Sequence, residues 1–140
     1  MSRITLLGTY GSLRVGEYNH SSVKDSMPIV ELERKVAGYK MYSLGAYPAI
    51  VRTDDPEDII TIDVFDMAST QQASNMMSSI HRMETNAGYD IEVASTIDGE
   101  MEVLLYTQTY RAESFDELGH EQVVGGDWTA YQRQRQHGGT

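Results

Sequence analysis

The sequence predicts an α+β fold, and three observations carry this prediction. Several apolar runs rich in β-branched and aromatic residues are separated by turn signals, as expected for strands. One segment, Thr70 to Glu84, has apolar residues at helical spacing and is the one clear helix. The pair Asp98-Gly99 stands between two strand-like runs and is a strong hairpin signal. Together they indicate many strands around one principal helix.

Six segments have the composition of strands, with β-branched or aromatic residues predominating. Gly8 and Gly11 bracket Thr9 and Tyr10, which predicts a sharp turn after the first strand. Within the second strand, Gly38 indicates a bulge. Residues 15–30 are polar and indicate a loop. The predicted strands are Ile4–Leu7, Glu33–Leu44, Ala49–Val51, Ile59–Phe65, Ile91–Ile97 and Glu102–Gln108.

The principal helix has recognisable start and stop signals. Ser69 or Thr70 can cap its N-terminus, and Asn86 with Gly88 is typical of a helix end. Its apolar residues are expected to form a buried stripe that is ordinary core. They are Ala73, Met76, Met77, Ile80 and Met83.

The chain has the length of one domain, which we place at residues 1–131. A second, short helix is expected around Phe115–Leu118. Trp128 is assigned to packing. The tail, residues 132–140, lacks an apolar face, so we expect it to be disordered.

Composition narrows the class of function. The formal net charge is −10, from 21 acidic and 11 basic residues, which disfavours binding to phosphate backbones. Cysteine is absent, so there is no disulfide, thiol nucleophile or thiolate metal site. No apolar run is long enough to span a membrane, and no signal peptide is visible. These features predict a cytoplasmic protein that handles a small molecule, without a nucleic-acid or membrane partner.

Clustered carboxylates at residues 54–58 raise the question of a metal site. Their spacing is not that of a calcium loop, which needs a glycine at position six and a closing glutamate. A solvated turn between two strands is the better interpretation.

The segment from Gly8 to Arg14 is the main candidate for a binding loop. A strand that ends in a Gly-containing turn exposes successive backbone N–H groups, which can hold a carboxylate or a developing oxyanion. On the residues alone, a plain strand-to-loop turn explains the pattern at least as well.

Glu84 is the main candidate for acid–base chemistry. It lies four residues after Ile80, so its carboxylate points along the apolar stripe of the helix. It also lies at the helix C-terminus, where the dipole disfavours negative charge. Both effects raise the pKa of a buried carboxyl group, as a general base requires. The alternative is a helix that frays early and leaves Glu84 in solvent.

These segments resemble the gamma-glutamylcyclotransferase-like family, which includes the AIG2-like proteins. The resemblance begins with Tyr10-Gly11-Ser12-Leu13-Arg14, followed by Gly16 and Asn19, and spans nearly the whole chain. Its further marks, in the order of the family, are Gly45–Val51, the helix ending in Glu84, and Gly126-Asp127-Trp128. Two departures are Gly8-Thr9, where bulkier apolar residues are expected, and Thr85, where many relatives have glycine.

The resemblance implies a mostly antiparallel, barrel-like sheet with one principal helix packed against it. It also implies an enzyme that releases 5-oxoproline and an amine from a gamma-glutamyl amine or small peptide, without metal, nucleotide or other cofactor. Glu84 is then the general acid and base, and the N–H groups of Gly11, Ser12 and Leu13 stabilise the oxyanion. Tyr10 and Tyr89 line the pocket, or simply pack.

Two other interpretations stay open at this point. The same chemistry can remove a gamma-glutamyl group from a polyamine or another modified compound. Alternatively, the scaffold binds a small molecule without catalysis, and Glu84 is dispensable. Arg14 and His20 are more consistent with exposed loop residues than with chemistry.

Overall fold

The computed structural model describes residues 5–11, 28–45, 48–68, 70–108 and 112–138. Seven strands and three helices lie within these residues, so the predicted α+β class is confirmed. In chain order they are β1 (Leu6–Thr9), β2 (Ile29–Ala37), β3 (Tyr39–Ser43), β4 (Pro48–Arg52), β5 (Ile59–Asp66), α1 (Gln71–Asn86), β6 (Tyr89–Ser95), β7 (Glu102–Gln108), α2 (Ala112–Glu117) and α3 (Trp128–Gly138).

The strands form two sheets. The larger sheet has five strands in the order β2-β5-β1-β7-β6. Each pair of adjacent strands in it is antiparallel, except the parallel pair β1–β7. Leu7 of β1 is paired with Phe65 on one side and with Leu104 on the other. The antiparallel pair β3–β4 packs against β5 and β7.

The larger sheet is barrel-like but not closed. The tip of the β6–β7 hairpin contacts β2, the strand at the other edge of the sheet. There the Ile97 N–H donates a 2.9 Å hydrogen bond to the Lys35 carbonyl oxygen. The Arg34 guanidinium also pairs with the carboxylates of Asp98 and Glu100. One hairpin tip therefore holds the two edges together.

Alternation along the strands separates two cores. Residues at even positions of β5, such as Ile62, face the interior that the two sheets and α3 enclose. Phe65 faces the opposite way, toward α1, together with Leu7 and Tyr106. Because successive side chains of a strand point to opposite faces of the sheet, the position of a residue along its strand decides which core its side chain enters.

Helix α1 begins as predicted. Thr70 is its N-cap, with an extended backbone and a side-chain oxygen that accepts a 3.0 Å hydrogen bond from the Ala73 N–H. Its last residue is Asn86, and Gly88 follows with a φ of +92°, a conformation that glycine adopts without strain.

The predicted buried stripe of α1 is confirmed except at its end. Ala73 and Ile80 are buried and the two central methionines are partly buried, but Met83 is 54% exposed. Successive helical residues turn by about 100°. Met83 is therefore rotated to the side of Ile80 that faces away from Met77, while Glu84 is rotated toward it. The charged residue, not the methionine, continues the buried side of the helix.

Gly8 does not form a turn, contrary to the prediction. It is paired with Val64 in the middle of β1. A Cβ at this position would lie 2.7 Å from Leu105 Cδ2 and 2.9 Å from Ile62 Cδ1. The sequence contains glycine where a bulkier residue was expected because these two side chains fill the space.

Gly38 is not a bulge within one strand. It separates β2 from β3 and has a φ of +95°, and there the chain leaves the larger sheet for the smaller one. Its N–H donates to the Asp58 carbonyl oxygen at 2.7 Å. The irregular pairing of β2 lies instead at two places, between Ile29 and Glu31 and between Glu31 and Arg34, and Glu33 in the second has a φ of +55°.

The acidic segment at 54–58 lies between β4 and β5 and is mostly exposed, as expected for a solvated turn. The Thr53 hydroxyl donates to Asp58 at 2.8 Å, and the Arg52 side chain pairs with Asp54 at the same distance. The predicted hairpin is also present, with Asp98 and Gly99 between β6 and β7.

The C-terminal residues are helical to Gly138, which corrects the prediction of a disordered tail from residue 132. Asp127 begins this helix by accepting a 3.1 Å hydrogen bond from the Ala130 N–H. Trp128 is buried, as predicted, and stacks on Tyr131 with ring centroids 5.4 Å apart. Anchoring of the first turn, followed by glutamine and arginine with good helix propensity, explains why the polar segment continues as a helix.

Candidate active site

Four elements meet at one end of the sheet. Tyr10 and Gly11 follow β1, and Gly11 lies against Pro48 at the start of β4, where a Cβ on Gly11 would be 3.0 Å from the Pro48 ring. The Tyr89 hydroxyl, at the start of β6, donates a long hydrogen bond of 3.5 Å to the Pro48 carbonyl oxygen. Glu84 comes from the last turn of α1, two residues before its end.

Glu84 is partly buried, and this desolvation raises the pKa of its carboxyl group above the usual value. Its position in the last turn adds the unfavourable negative end of the helix dipole. A carboxyl group in this setting exchanges a proton more readily near neutral pH than one in water does.

Tyr10 is buried next to this carboxylate. Burial raises the pKa of its hydroxyl well above the usual value, and Tyr89 and Glu84 raise it further. The hydroxyl donates a 2.6 Å hydrogen bond to the backbone oxygen of Tyr106. Tyr10 is thus a neutral hydrogen-bond donor that joins the end of β1 to β7.

Sequence reasoning missed two residues of this site, Tyr106 and His81. Burial, followed by the charge of Glu84, raises the pKa of the Tyr106 hydroxyl to about 12. This hydroxyl lies 3.0 Å from Nδ1 of His81, which is one helical turn before Glu84. The three-residue spacing from Glu84 is the signal for His81. Tyr106 is brought in by the pairing of β7 with β1 and carried no local signal.

Four of the six predicted site residues lie close together: Tyr10, Gly11, Glu84 and Tyr89. Ser12 and Leu13 lie outside the described residues, as do Arg14 and His20.

An open groove of about 570 Å³ runs along the flank of α1 beside this site. His81 and Thr85, in the last turns of the helix, line the groove, and the side chains on its sheet side are apolar. The groove is lined by Met67, Met77, Ser78, His81, Arg82, Thr85, Ile91 and Leu104.

The described part of the chain contains no group of three or more histidine and carboxylate side chains that could hold a metal ion. None of its helices combines the length and apolar character needed to cross a membrane.

The arrangement is suited to proton transfer. A carboxyl group of raised pKa can take a proton from a bound ammonium group and return it to a nearby atom. The surrounding phenol hydroxyls stay protonated near neutral pH, so they act as hydrogen-bonding groups and not as competing bases.

Comparison with known structures supports the fold. An uncharacterised protein from Pyrococcus horikoshii superposes with a TM-score of 0.68 at 19% identity, over 95% of this chain and 97% of the other. An AIG2-like protein from mouse superposes with a TM-score of 0.61 at 16% identity, over 80% of this chain and 82% of the other. At these identities the likeness concerns the fold alone.

Sequence comparison gives the family. A Vibrio cholerae protein described as a "Putative gamma-glutamylcyclotransferase" is 26% identical over 125 residues, which cover 88% of this chain and 94% of that protein. The family model for gamma-glutamyl cyclotransferase, AIG2-like proteins matches residues 8–130. Because this match spans nearly the whole chain, including the site described above, the chain belongs to the gamma-glutamyl cyclotransferase, AIG2-like family.

Proposed function

We propose that this protein is a gamma-glutamyl cyclotransferase that releases 5-oxoproline and a free amine from a gamma-glutamyl amine or small gamma-glutamyl peptide. Glu84 is its general acid and base. The observation that carries the proposal is the position of Glu84, a partly buried carboxyl group of raised pKa beside two buried tyrosines.

The reaction needs little from the protein because the substrate contains its own nucleophile. The α-amino nitrogen attacks the carbonyl carbon of its own side chain, and a five-membered ring forms. The amide bond to the leaving amine then breaks. No water is consumed, and the tether between nucleophile and electrophile removes much of the entropic cost of reaction.

Two proton transfers remain for the enzyme. The substrate arrives with an α-ammonium group, and only the neutral amine can attack. Glu84 in its ionised form takes one proton from this group. In its protonated form it gives that proton to the nitrogen of the leaving amine as the tetrahedral intermediate collapses. The ring nitrogen loses its remaining extra proton to the released amine, so the products are 5-oxoproline with a neutral ring nitrogen and an ammonium group. The carboxyl group ends the cycle as it began.

The negative oxygen of the tetrahedral intermediate needs hydrogen-bond donors. We assign this role to the backbone N–H groups of Gly11, Ser12 and Leu13. Gly11 is the member of this set that the structure describes, and a Cβ there would lie in tight contact with the Pro48 ring, at 3.0 Å. Glycine fits this position without a shift of the Pro48 ring at the start of β4.

Tyr10 and Tyr89 shape the pocket in this proposal. Their hydroxyls donate to the backbone oxygens of Tyr106 and Pro48, so both rings are held at the site by strand backbone. Held in this way, the rings restrict the position of the glutamyl part of the substrate next to Glu84.

The test is an assay for 5-oxoproline with a mixed set of gamma-glutamyl amines, dipeptides and polyamine conjugates. Wild type is compared with Glu84→Gln, which keeps the size of the side chain but cannot accept the ammonium proton. We expect the rate to fall by roughly a hundredfold or more. Glu102→Gln, in the same assay, removes an exposed carboxylate on β7 and should match wild type.

The set of donors that react distinguishes an amine, a peptide and a polyamine as the leaving group. Full activity of Glu84→Gln would exclude Glu84 as the base. A wild-type protein that releases no 5-oxoproline, yet shows a higher melting temperature with the same compounds, would be a binding protein instead.

A further inference from the structure

His81 contacts the site through Tyr106. Its Nδ1 lies 3.0 Å from the Tyr106 hydroxyl oxygen, and the two rings are tilted by 46° with centroids 5.9 Å apart. His81 and Glu84 are three residues apart on α1, so their side chains are neighbours on the helix surface. His81 therefore acts on the site through the Tyr106 hydroxyl, and not directly at the Glu84 carboxyl group.

The Tyr106 hydroxyl has one proton to donate and lone pairs with which to accept. Its pKa is raised by burial and by the charge of Glu84, so the group stays protonated near neutral pH. The direction of this one proton decides what the oxygen offers to a ligand. A proton directed at Nδ1 leaves the lone pairs available to an N–H donor.

We propose that His81 is a positioning residue: its Nδ1 accepts the Tyr106 hydroxyl proton and so turns the oxygen lone pairs toward the substrate amine beside Glu84. This rests on the proposed cyclotransferase function. Tyr106 then accepts an N–H from the α-amino group before and after Glu84 removes its proton. The amine is held in the direction needed for attack on the γ-carbonyl.

One further contact and the tautomer of His81 make this orientation specific. The backbone oxygen of Tyr106 is held by the Tyr10 hydroxyl at 2.6 Å, so the strand position of Tyr106 is fixed from the other side. In the described part of the chain, Nδ1 of His81 has a hydrogen-bonding partner in Tyr106, whereas Nε2 has none. The tautomer with its proton on Nε2 is therefore the one that satisfies both nitrogens, with solvent as the partner of Nε2.

The first test is a double-mutant cycle on kcat and KM with His81→Leu, Tyr106→Phe and the double variant. Each single variant should lower kcat/KM by roughly tenfold or more, the range for one hydrogen bond to a charged group. The double variant should lose no more than either one. Ser79→Leu, which adds the same side chain on the exposed side of α1, should behave as wild type.

A rescue variant separates positioning from packing. His81→Asn keeps an acceptor near the position of Nδ1 and should recover most of the activity that His81→Leu loses. Nitrogen NMR of His81 should report the tautomer protonated on Nε2, and the Nδ1 resonance should shift in Tyr106→Phe. Melting temperatures of all variants check that the fold is intact.

The outcomes are distinguishable. If wild type is active and His81→Leu loses the same factor in the Tyr106→Phe background as in wild type, the positioning role is overturned. Failure of His81→Asn to recover activity, or a proton found on Nδ1, overturns it as well. A wild-type protein that releases 5-oxoproline from no donor refutes the proposed function itself, and the role of His81 with it.

Discussion

The Tyr10 hydroxyl donates a 2.6 Å hydrogen bond to the backbone oxygen of Tyr106, across the end of the parallel pair β1–β7. The donor is a buried side chain and the acceptor belongs to the strand that carries a second tyrosine of the site. One hydrogen bond therefore ties the Tyr10 ring to the backbone of the strand that carries Tyr106.

Tyr10→Phe removes this bond and leaves a buried acceptor with one partner fewer. We expect the free energy of unfolding to fall by about 1–2 kcal/mol. Urea unfolding followed by circular dichroism measures this loss. The matched control is Tyr131→Phe, which breaks a bond of the same length to Glu121 at an exposed position. Equal losses in the two variants would show that burial of the Tyr10 bond is unimportant.

Glu84 should limit the stability of the fold near neutral pH. Its folded-state pKa is raised, so protonation of this group favours the folded protein. That contribution is complete below the ordinary pKa of 4.5 and is lost as the pH rises through the folded-state value. Near pH 7, Glu84→Gln should therefore be more stable than wild type, by ~0.3–1 kcal/mol from the helix dipole alone.

Thermal unfolding near pH 7 and below about pH 4 checks this expectation. The difference between Glu84→Gln and wild type should vanish at the acidic pH, where both side chains are neutral. Glu102→Gln controls for the general effect of removing one negative charge from an acidic protein. A Gln variant that is less stable than wild type near pH 7 would contradict the argument.

Gly126 is required by the packing of its backbone against β5. A Cβ there would lie 2.1 Å from the Ile59 carbonyl oxygen, and the residue has a φ of +65°. Gly126→Ala should destabilise the protein by ~3 kcal/mol or more, because the obstacle is backbone.

Gly125→Ala is the matched control for this effect. Gly125 also has a positive φ, of +90°, but a Cβ there would meet no atom within 4 Å. Its cost should be that of left-handed backbone alone, about 1–2 kcal/mol. Denaturant midpoints of the two variants give the comparison, and similar midpoints would remove the steric explanation.

The N-cap of α1 should contribute to stability on its own. Thr70→Ala removes the bond to the Ala73 N–H and should cost about 1 kcal/mol. Thr85→Ala, an exposed threonine whose hydroxyl bonds back to the His81 carbonyl oxygen, should change stability by less than about 0.5 kcal/mol. Thermal melts of both variants decide between a capping effect and a general loss of hydroxyl groups.

Local pattern was enough to predict most of the elements. Runs rich in β-branched and aromatic residues predicted most of the strands, and the helical spacing predicted α1 with its cap. The roles of Gly8 and Gly38 were not predictable. Gly8 leaves room for the Leu105 side chain and Gly38 joins the two sheets, but a glycine gives the same local signal in both cases. Met83 was assigned to the core because a stripe read from a linear sequence does not show where the sheet surface ends.

The candidate site divides in the same way. Glu84 was predicted because a carboxylate on an apolar stripe is a local anomaly, and Tyr10 because it heads the segment that resembles the family motif. Tyr106 is separated from Tyr10 by nearly the whole length of the sheet-forming chain. Its place beside Glu84 depends on the strand order, which no short window of sequence contains.

The bond between Ile97 and Lys35 lies at the hairpin tip, which is the far end of β6 and β7 from Tyr89 and Tyr106. The larger sheet is therefore an open sheet whose two edges are joined at one hairpin, and not a closed barrel. Opening of this hydrogen bond would separate the two edge strands at the end of β6 and β7 that lies away from the candidate site. Exchange of the Ile97 amide proton with solvent deuterium reports how often the hydrogen bond to Lys35 opens.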